Sequence, residues 1–259
     1  MIRAEQISLK LSDRFSIWAP ELSIANHEIT ALIGTNGSGK TTLSKILSGQ
    51  LKCSEGKVTY HSEHLKAFNS RELSFIRAVM PQHTNCHLDL TVREVLEIGL
   101  FNQMLPSKEI KDTCRLASRK HGIEHLLNSK FNRLSGGEKQ KCLLVQCLLQ
   151  LNNSDYSKSF LFLDEPMNNL DLLQEKLLIQ NILELKDQGL GILIILHDLN
   201  QVAQLADQIL FMKNGVLDTS GSPQDVLSEQ FILREYGLIA ENLTSPVTQQ
   251  TSIHLHLPN

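Results

Sequence analysis

The stretch Gly34 to Thr42, GTNGSGKTT, constrains this chain more than any other. Gly34, Gly39, Lys40 and Thr41 fit the phosphate-loop pattern of a glycine, four free positions, then glycine, lysine and a hydroxyl residue. The apolar run Ile29 to Ile33 ahead of it predicts a buried strand, and Leu43 to Leu51 behind it has helical spacing. That gives strand, glycine-rich turn, helix. Glycines at 34, 37 and 39, with Thr35, Asn36 and Ser38 between them, let the backbone curl so that successive amide hydrogens point inward. The result is a concave anion site at the positive end of a helix. A nucleoside triphosphate fits it, with Lys40 reaching the outer phosphates and the Thr41 hydroxyl, next to Thr42, ligating a bridging magnesium ion.

A chain of 259 residues holds one large domain or two small lobes around a shared core, and two lobes are expected. Charged residues make up 20% and the formal net charge is −3, so no global pull toward nucleic acid or anionic lipid is implied. No run of about eighteen apolar residues and no secretory leader pattern is present, which predicts a cytoplasmic location. Cys53, Cys86, Cys114, Cys142 and Cys147 are odd in number and lack CxxC spacing, as reduced thiols do.

From Met1 to Ile33, apolar positions at Ile2, Ala4, Ile7, Leu9, Leu11, Leu22 and Ile24 predict half-buried antiparallel strands, a β lobe leading into the loop. Phe15 and Trp18 lie where an aromatic face could stack on adenine, although core or edge packing is the commoner use of such residues. Val58 and Tyr60 continue the lobe; His61 and His64, spaced HxxH without further ligands, read as solvated side chains. Arg77 to Pro81 is a short strand ending at Gln82, whose carboxamide could stand near a magnesium ion or an attacking water.

Leu90 to Leu149 is mostly helical. Thr91 with Glu94 forms a capping box, and helical spacing returns at Ile110 to His121 and Ile123 to Leu127. The spacing of His83, Cys86 and His87 matches no metal-ligand pattern. Leu134 to Glu138, LSGGE, opens another helix, so Ser135, Gly136 and Gly137 occupy its N-terminus. An ordinary serine cap and a second anion site addressing another subunit's phosphate both fit.

Phe160 to Pro166, FLFLDEP, describes a buried parallel strand delivering carboxylates at its C-terminal end, where open α/β sheets hold their ligands. Asp164 suits magnesium, and Glu165, free of the metal, suits a general base toward water. Asp171 is a plausible cap for the next helix. Ile192 to Leu196 predicts another buried strand, ending at His197, which could hydrogen-bond the terminal phosphate, and Asn214 with Gly215 predicts a hairpin turn.

In order, Gly34 to Thr42 (Walker A), Gln82, LSGGE, Phe160 to Asp164 (Walker B) with Glu165, NNLD at Asn168 to Asp171 (the D-loop) and His197 resemble the nucleotide-binding subunit of ATP-binding cassette (ABC) transporters. The resemblance covers residues 1 to about 235. It implies an α/β fold with a P-loop NTPase (RecA-like) core at about 1–82 and 155–220, the core including an N-terminal antiparallel β lobe, and an inserted α-helical subdomain at about 83–150. It further implies ATP with Mg2+ as cofactors, hydrolysis at Glu165, and a head-to-tail homodimer in which Ser135 to Gly137 of one copy close over the Walker A of the other. Phe15 is carried over as the adenine-stacking residue, while Lys139 and Lys141 stand where the family more often has glutamine and arginine.

With no membrane span of its own, such a subunit implies two separate permease subunits and a periplasmic binding protein, and a place on the cytoplasmic face of the membrane. The stretch LHDLNQVAQLADQILFMKNGVLDTSGSPQDVL is similar to ATPases serving haem, ferric siderophore and vitamin B12 uptake, with the haem type favoured over the other two. A non-transport cassette protein in DNA repair or on ribosomes, or a nucleotide-binding regulator, is the alternative of another class. The tail 236–259, with His254 and His256, reads as a weakly packed end.

Overall fold

The computed structural model describes every residue except 83–88, 152–155, 169, 245–250 and 258–259. The chain opens with β1 (Ile2–Ser12) and β2 (Phe15–Ile24), paired antiparallel, then β3 (Ile29–Gly34), the phosphate loop and α1 (Lys40–Leu47). It continues with β4 (Glu55–Tyr60), β5 (Glu63–His64), α2 (Ser70–Ile76) and β6 (Arg77–Met80). A helical stretch follows with α3 (Val92–Gly99), α4 (Ser107–Lys120) and α5 (Gly136–Leu151). The second half holds β7 (Phe160–Asp164), α6 (Leu172–Asp187), β8 (Gly191–Ile195), α7 (Leu199–Leu205), β9 (Gln208–Lys213) and β10 (Val216–Gly221). Last come α8 (Pro223–Val226), α9 (Glu229–Tyr236), β11 (Ile239–Thr244) and β12 (Thr251–His256).

Among the described residues ten strands form one sheet, in the order β5-β4-β1-β2-β10-β9-β3-β8-β7-β6. From β9 to β6 the neighbours run parallel, whereas β5, β4, β1 and β2 are antiparallel; a single bridge, Val216 to Trp18, joins the halves. The parallel strands are apolar along most of their length because both faces are covered, with polar residues mainly at their ends. Ile192, Ile194, Leu161 and Leu163 face the core shared with the helical stretch, and Leu193, Ile195, Phe160 and Phe162 face the core shared with α1 and the β lobe. Parallel strands sandwiched in this way present their C-terminal ends together, and that edge carries the site.

Several expectations need correction. The helix after the loop stops at Leu47, not Leu51: Gly49 takes φ +75°, and the amides of Gln50 and Leu51 both turn back to the Lys45 carbonyl, at 2.9 and 3.0 Å. Burial in β1 changes parity between Ala4 and Ile7, where Gln6, at φ +52°, makes a bulge; farther along the strand, on the same parity as buried Ile7, Leu9 is only partly buried and Leu11 is 47% exposed. Ile123 to Leu127 gives only a 3-10 turn at Glu124–Leu126, its apolar residues buried without a helix. The tail is not loosely packed in its described part: β11 and β12 pair antiparallel, and Ala240 and Ile253 lie in the main core. His83, Cys86 and His87 lie outside the described residues, while His61 hydrogen-bonds the Lys158 carbonyl at 2.9 Å and His64 accepts from the Lys66 amide at 3.2 Å.

Candidate functional site

The site is built where β3, β7, β8 and β6 end side by side. Gly34 leaves β3 at φ +144°, and a Cβ there would stand 2.1 Å from the Met212 carbonyl oxygen, so only glycine lets the chain turn against β9. At Gly37, φ +76°, a Cβ would meet nothing within 4 Å: the loop's outer face is an open cradle. Thr35, Asn36 and Gly37 are exposed at its rim, and Ser38 is 2% exposed with a hydroxyl that has no hydrogen-bond partner. Lys40, 6% exposed, folds over the loop and donates to the carbonyls of Gly34 at 2.9 Å and Thr35 at 3.1 Å. Burial pulls its ammonium below the usual lysine range, partly offset by Glu165 and Asp164. A buried cation resting on weak carbonyl acceptors, beside an unpartnered hydroxyl, suits a polyanion.

Opposite the loop, β7 carries Asp164 and Glu165. The Thr41 hydroxyl donates to Asp164 Oδ2 at 3.0 Å, while Asp164 Oδ1 is buried with no partner. Burial raises the Asp164 carboxyl above its ordinary range, against the Thr41 hydrogen bond. A hydroxyl touching a carboxylate with one orphaned oxygen is a donor set of hard oxygens that fits Mg2+. Thr42, half-buried, follows on the first turn of α1.

Glu165 is the centre of a convergence. It is a non-glycine residue at φ +50°, a left-handed turn held by its amide on the Ile195 carbonyl at 3.2 Å. Gln82, just past β6, and Asn168 both donate to its Oε2, and His197 Nε2 donates to its Oε1. Burial pushes this carboxyl up, but the hydrogen bond and charge of His197, the Asn168 amide and the charge of Lys40 outweigh it and hold it below the ordinary carboxylate range. The Glu165 side chain is 15% exposed and that of His197 38%, so the histidine stands at the mouth of the crevice and the glutamate within it.

The structure thus gathers Lys40, Thr41, Asp164, Glu165, Gln82 and His197 into one crevice. It adds Asn168, which the sequence placed in the NNLD run before a helix, matching the D-loop, without a role at the carboxylate. Phe15 stands beside the loop, its Cζ 3.5 Å from where a Cβ on Gly39 would be. Asp171 and the stretch Ser135 to Gly137 are not joined to the crevice by any side-chain hydrogen bond among the described residues. Asp171 caps α6, accepting from the Gln174 amide at 2.9 Å. Ser135 and Glu138 form a capping box on α5, with Ser135 Oγ donating to Glu138 Oε2 at 2.7 Å and the Ser135 amide donating to the same oxygen at 2.9 Å. Ser135 and Gly136 are exposed.

The family model described as ABC transporter matches residues 19–168. The hemin import ATP-binding protein HmuV of Agrobacterium fabrum is 34% identical over 240 residues, 92% of this chain and 92% of that protein. The protein of the same name from Vibrio parahaemolyticus is 32% identical over 255 residues, 98% of this chain and 97% of its own length. Among solved structures, a metal-chelate type ABC transporter in an inward-facing conformation superposes with TM-score 0.81 at 18% identity, covering 98% of this chain and 96% of that one. An ATP-binding cassette of an ABC transporter superposes with TM-score 0.79 at 25% identity, covering 91% and 98%.

Proposed function

The chain belongs to the ABC transporter family and is an ATPase, and from that premise we propose that it energises the import of haem across the cytoplasmic membrane. It works there as a head-to-tail pair of copies bound to two permease subunits, which a periplasmic binding protein supplies. What supports the haem reading is the name shared by relatives that match along nearly their whole lengths, together with the stretch after His197 that resembles the chelate-uptake group. Among the described residues no helix is long and apolar enough to cross a membrane, so the passage itself falls to other chains.

The chemistry follows from the crevice. The triphosphate lies in the cradle of Gly34 to Thr42, and Lys40 leaves the Gly34 and Thr35 carbonyls for the stronger phosphate acceptors. Thr41 and Asp164, joined by the Gln82 carboxamide once it leaves Glu165, would hold Mg2+, which when bound neutralises charge on the outer phosphates. Glu165, ionised at neutral pH, accepts the proton of the attacking water, and for this it must release Gln82, Asn168 and His197. His197, freed from Glu165, donates to the terminal phosphate. Ser135 to Gly137, the first two of them exposed and the serine capped by Glu138 and not held by the phosphate loop, complete the site of the partner copy. Phe15 stacks on the adenine.

Two measurements test this. Glu165→Gln should keep ATP binding while turnover collapses and ATP-bound dimers accumulate; retained turnover removes Glu165 from the base role. For the cargo, proteoliposomes holding the chain with its permease should take up hemin on ATP addition. Uptake of cobalamin or a ferric siderophore instead would move the assignment to that substrate.

A further inference from the structure

The end of the chain is fastened to the helix that begins beside His197. Asn200 is the second residue of α7, and its backbone amide already serves the Asp198 cap at 2.7 Å. Its side chain closes two hydrogen bonds on one residue of β12: Nδ2 donates to the Ile253 carbonyl at 3.1 Å, and the Ile253 amide donates to Oδ1 at 2.7 Å. Asparagine is an indifferent helix former, so its use here points to a tertiary role. A carboxamide offers a donor and an acceptor side by side and can satisfy the outward N–H and C=O of an edge strand as a neighbouring strand would. Ile253 itself is 5% exposed, β12 packs on α7, and β11 packs on α9, so the hairpin is an anchored element and not a free arm.

We propose that Asn200 is a positioning residue for His197. The carboxamide clamp ties the first turn of α7 to the β11–β12 hairpin and so fixes where the histidine stands between Glu165 and the terminal phosphate. This rests on the reading of His197 given above. Only the cap residue Asp198 separates His197 from α7, so any rotation of that first turn carries the histidine with it. On its other side β8 is held in the parallel sheet, its Ile195 carbonyl taking the Glu165 amide. The histidine therefore hangs between a fixed strand and a clamped helix, and its exchange of Glu165 for phosphate is a short, defined movement. Without the clamp the same exchange spreads over many geometries, which lowers the fraction of bound ATP in reactive alignment while leaving the phosphate cradle untouched.

The test is a double-mutant cycle on ATP turnover by the full chain, with Asn200→Ala, Asn200→Asp and His197→Ala, each checked for folding by its thermal melt. Asn200→Ala should lower kcat about tenfold with KM for ATP changed less than about twofold. Asn200→Asp keeps the acceptor for the Ile253 amide, loses the donor, and should fall between; it also serves as the readout if the alanine variant does not fold. The double variant Asn200→Ala/His197→Ala should be no slower than His197→Ala alone, because the clamp acts through the histidine. Losses that multiply in the double variant, or an unchanged kcat in folded Asn200 variants beside a slow His197→Ala, overturn the proposal alone. Full turnover in His197→Ala overturns the reading of the histidine and the proposal with it.

Discussion

Two helix N-termini in this molecule are chemically alike and structurally opposite. At the start of α1 the phosphate loop is surrounded: Lys40 and Ser38 are buried, Thr41 touches Asp164, and Glu165 has three side-chain donors. At the start of α5, Ser135 and Gly136 are exposed, and the serine hydroxyl and amide both donate to Glu138 of its own cap. Both ends point amides outward, and both suit an anion. Under the proposed function the first carries the groups for chemistry, and the second closes over the phosphates of a partner copy. On that proposal the difference teaches that a single copy presents two unlike halves of a site, each completed by a second copy.

That contrast can be broken most severely at Glu165. Glu165→Gln should cut turnover by about 10²–10⁴-fold, the usual range for a general base, with nucleotide affinity kept; rapid-quench hydrolysis beside equilibrium ATP binding checks it. Next come Lys40→Ala and Ser135→Arg, which should separate the halves. Lys40→Ala should weaken ATP binding by the isolated chain at least about tenfold, since it removes a charge-assisted phosphate contact. Ser135→Arg should leave that binding unchanged and still lower turnover by a similar factor. Equal losses of monomer affinity would place Ser135 over its own loop and dissolve the contrast.

Smaller effects sharpen it further. Burial raises the Asp164 carboxyl, and a group whose folded pKa is raised costs stability once pH exceeds it. Asp164→Asn should therefore melt slightly higher than the parent at neutral pH without nucleotide, solvent screening of the partly exposed carboxyl keeping the gain small, while losing activity. Glu165 has the opposite sign: its lowered pKa contributes stability above the ordinary carboxylate range that is lost as pH falls through the folded value. The fall in melting temperature on acidification should accordingly be shallower in Glu165→Gln than in the parent. Smallest of all, Thr91→Ala, at a capping box like that of Ser135 and Glu138, should cost about 1 kcal/mol of stability and no turnover.

What could be read from the sequence were features with a strong local cause. The glycine pattern at 34–42, the FLFLDEP and GILIIL runs and the Thr91/Glu94 box each specify their own backbone, and the strand runs and the box stand where they were expected, with small shifts of boundary. What could not be read depends on partners far along the chain. The bulge at Gln6 sits where the Glu5–Gln6 backbone lies against Gly56 on β4; the tail becomes a hairpin only because α7 and the core receive it; and Asn168 and Asn200 matter through Glu165 and Ile253. Ile123 to Leu127 misleads for a related reason: its apolar residues bury themselves in a single 3-10 turn, and helical spacing over so few positions does not tell the two apart.

The central claim, that each ATP site is shared between two copies, is tested most directly by the dependence of ATP turnover on protein concentration. The account predicts that specific activity falls steadily on dilution, while ATP binding per chain persists. Specific activity that stays constant down to concentrations at which the chain sediments as a monomer would contradict it.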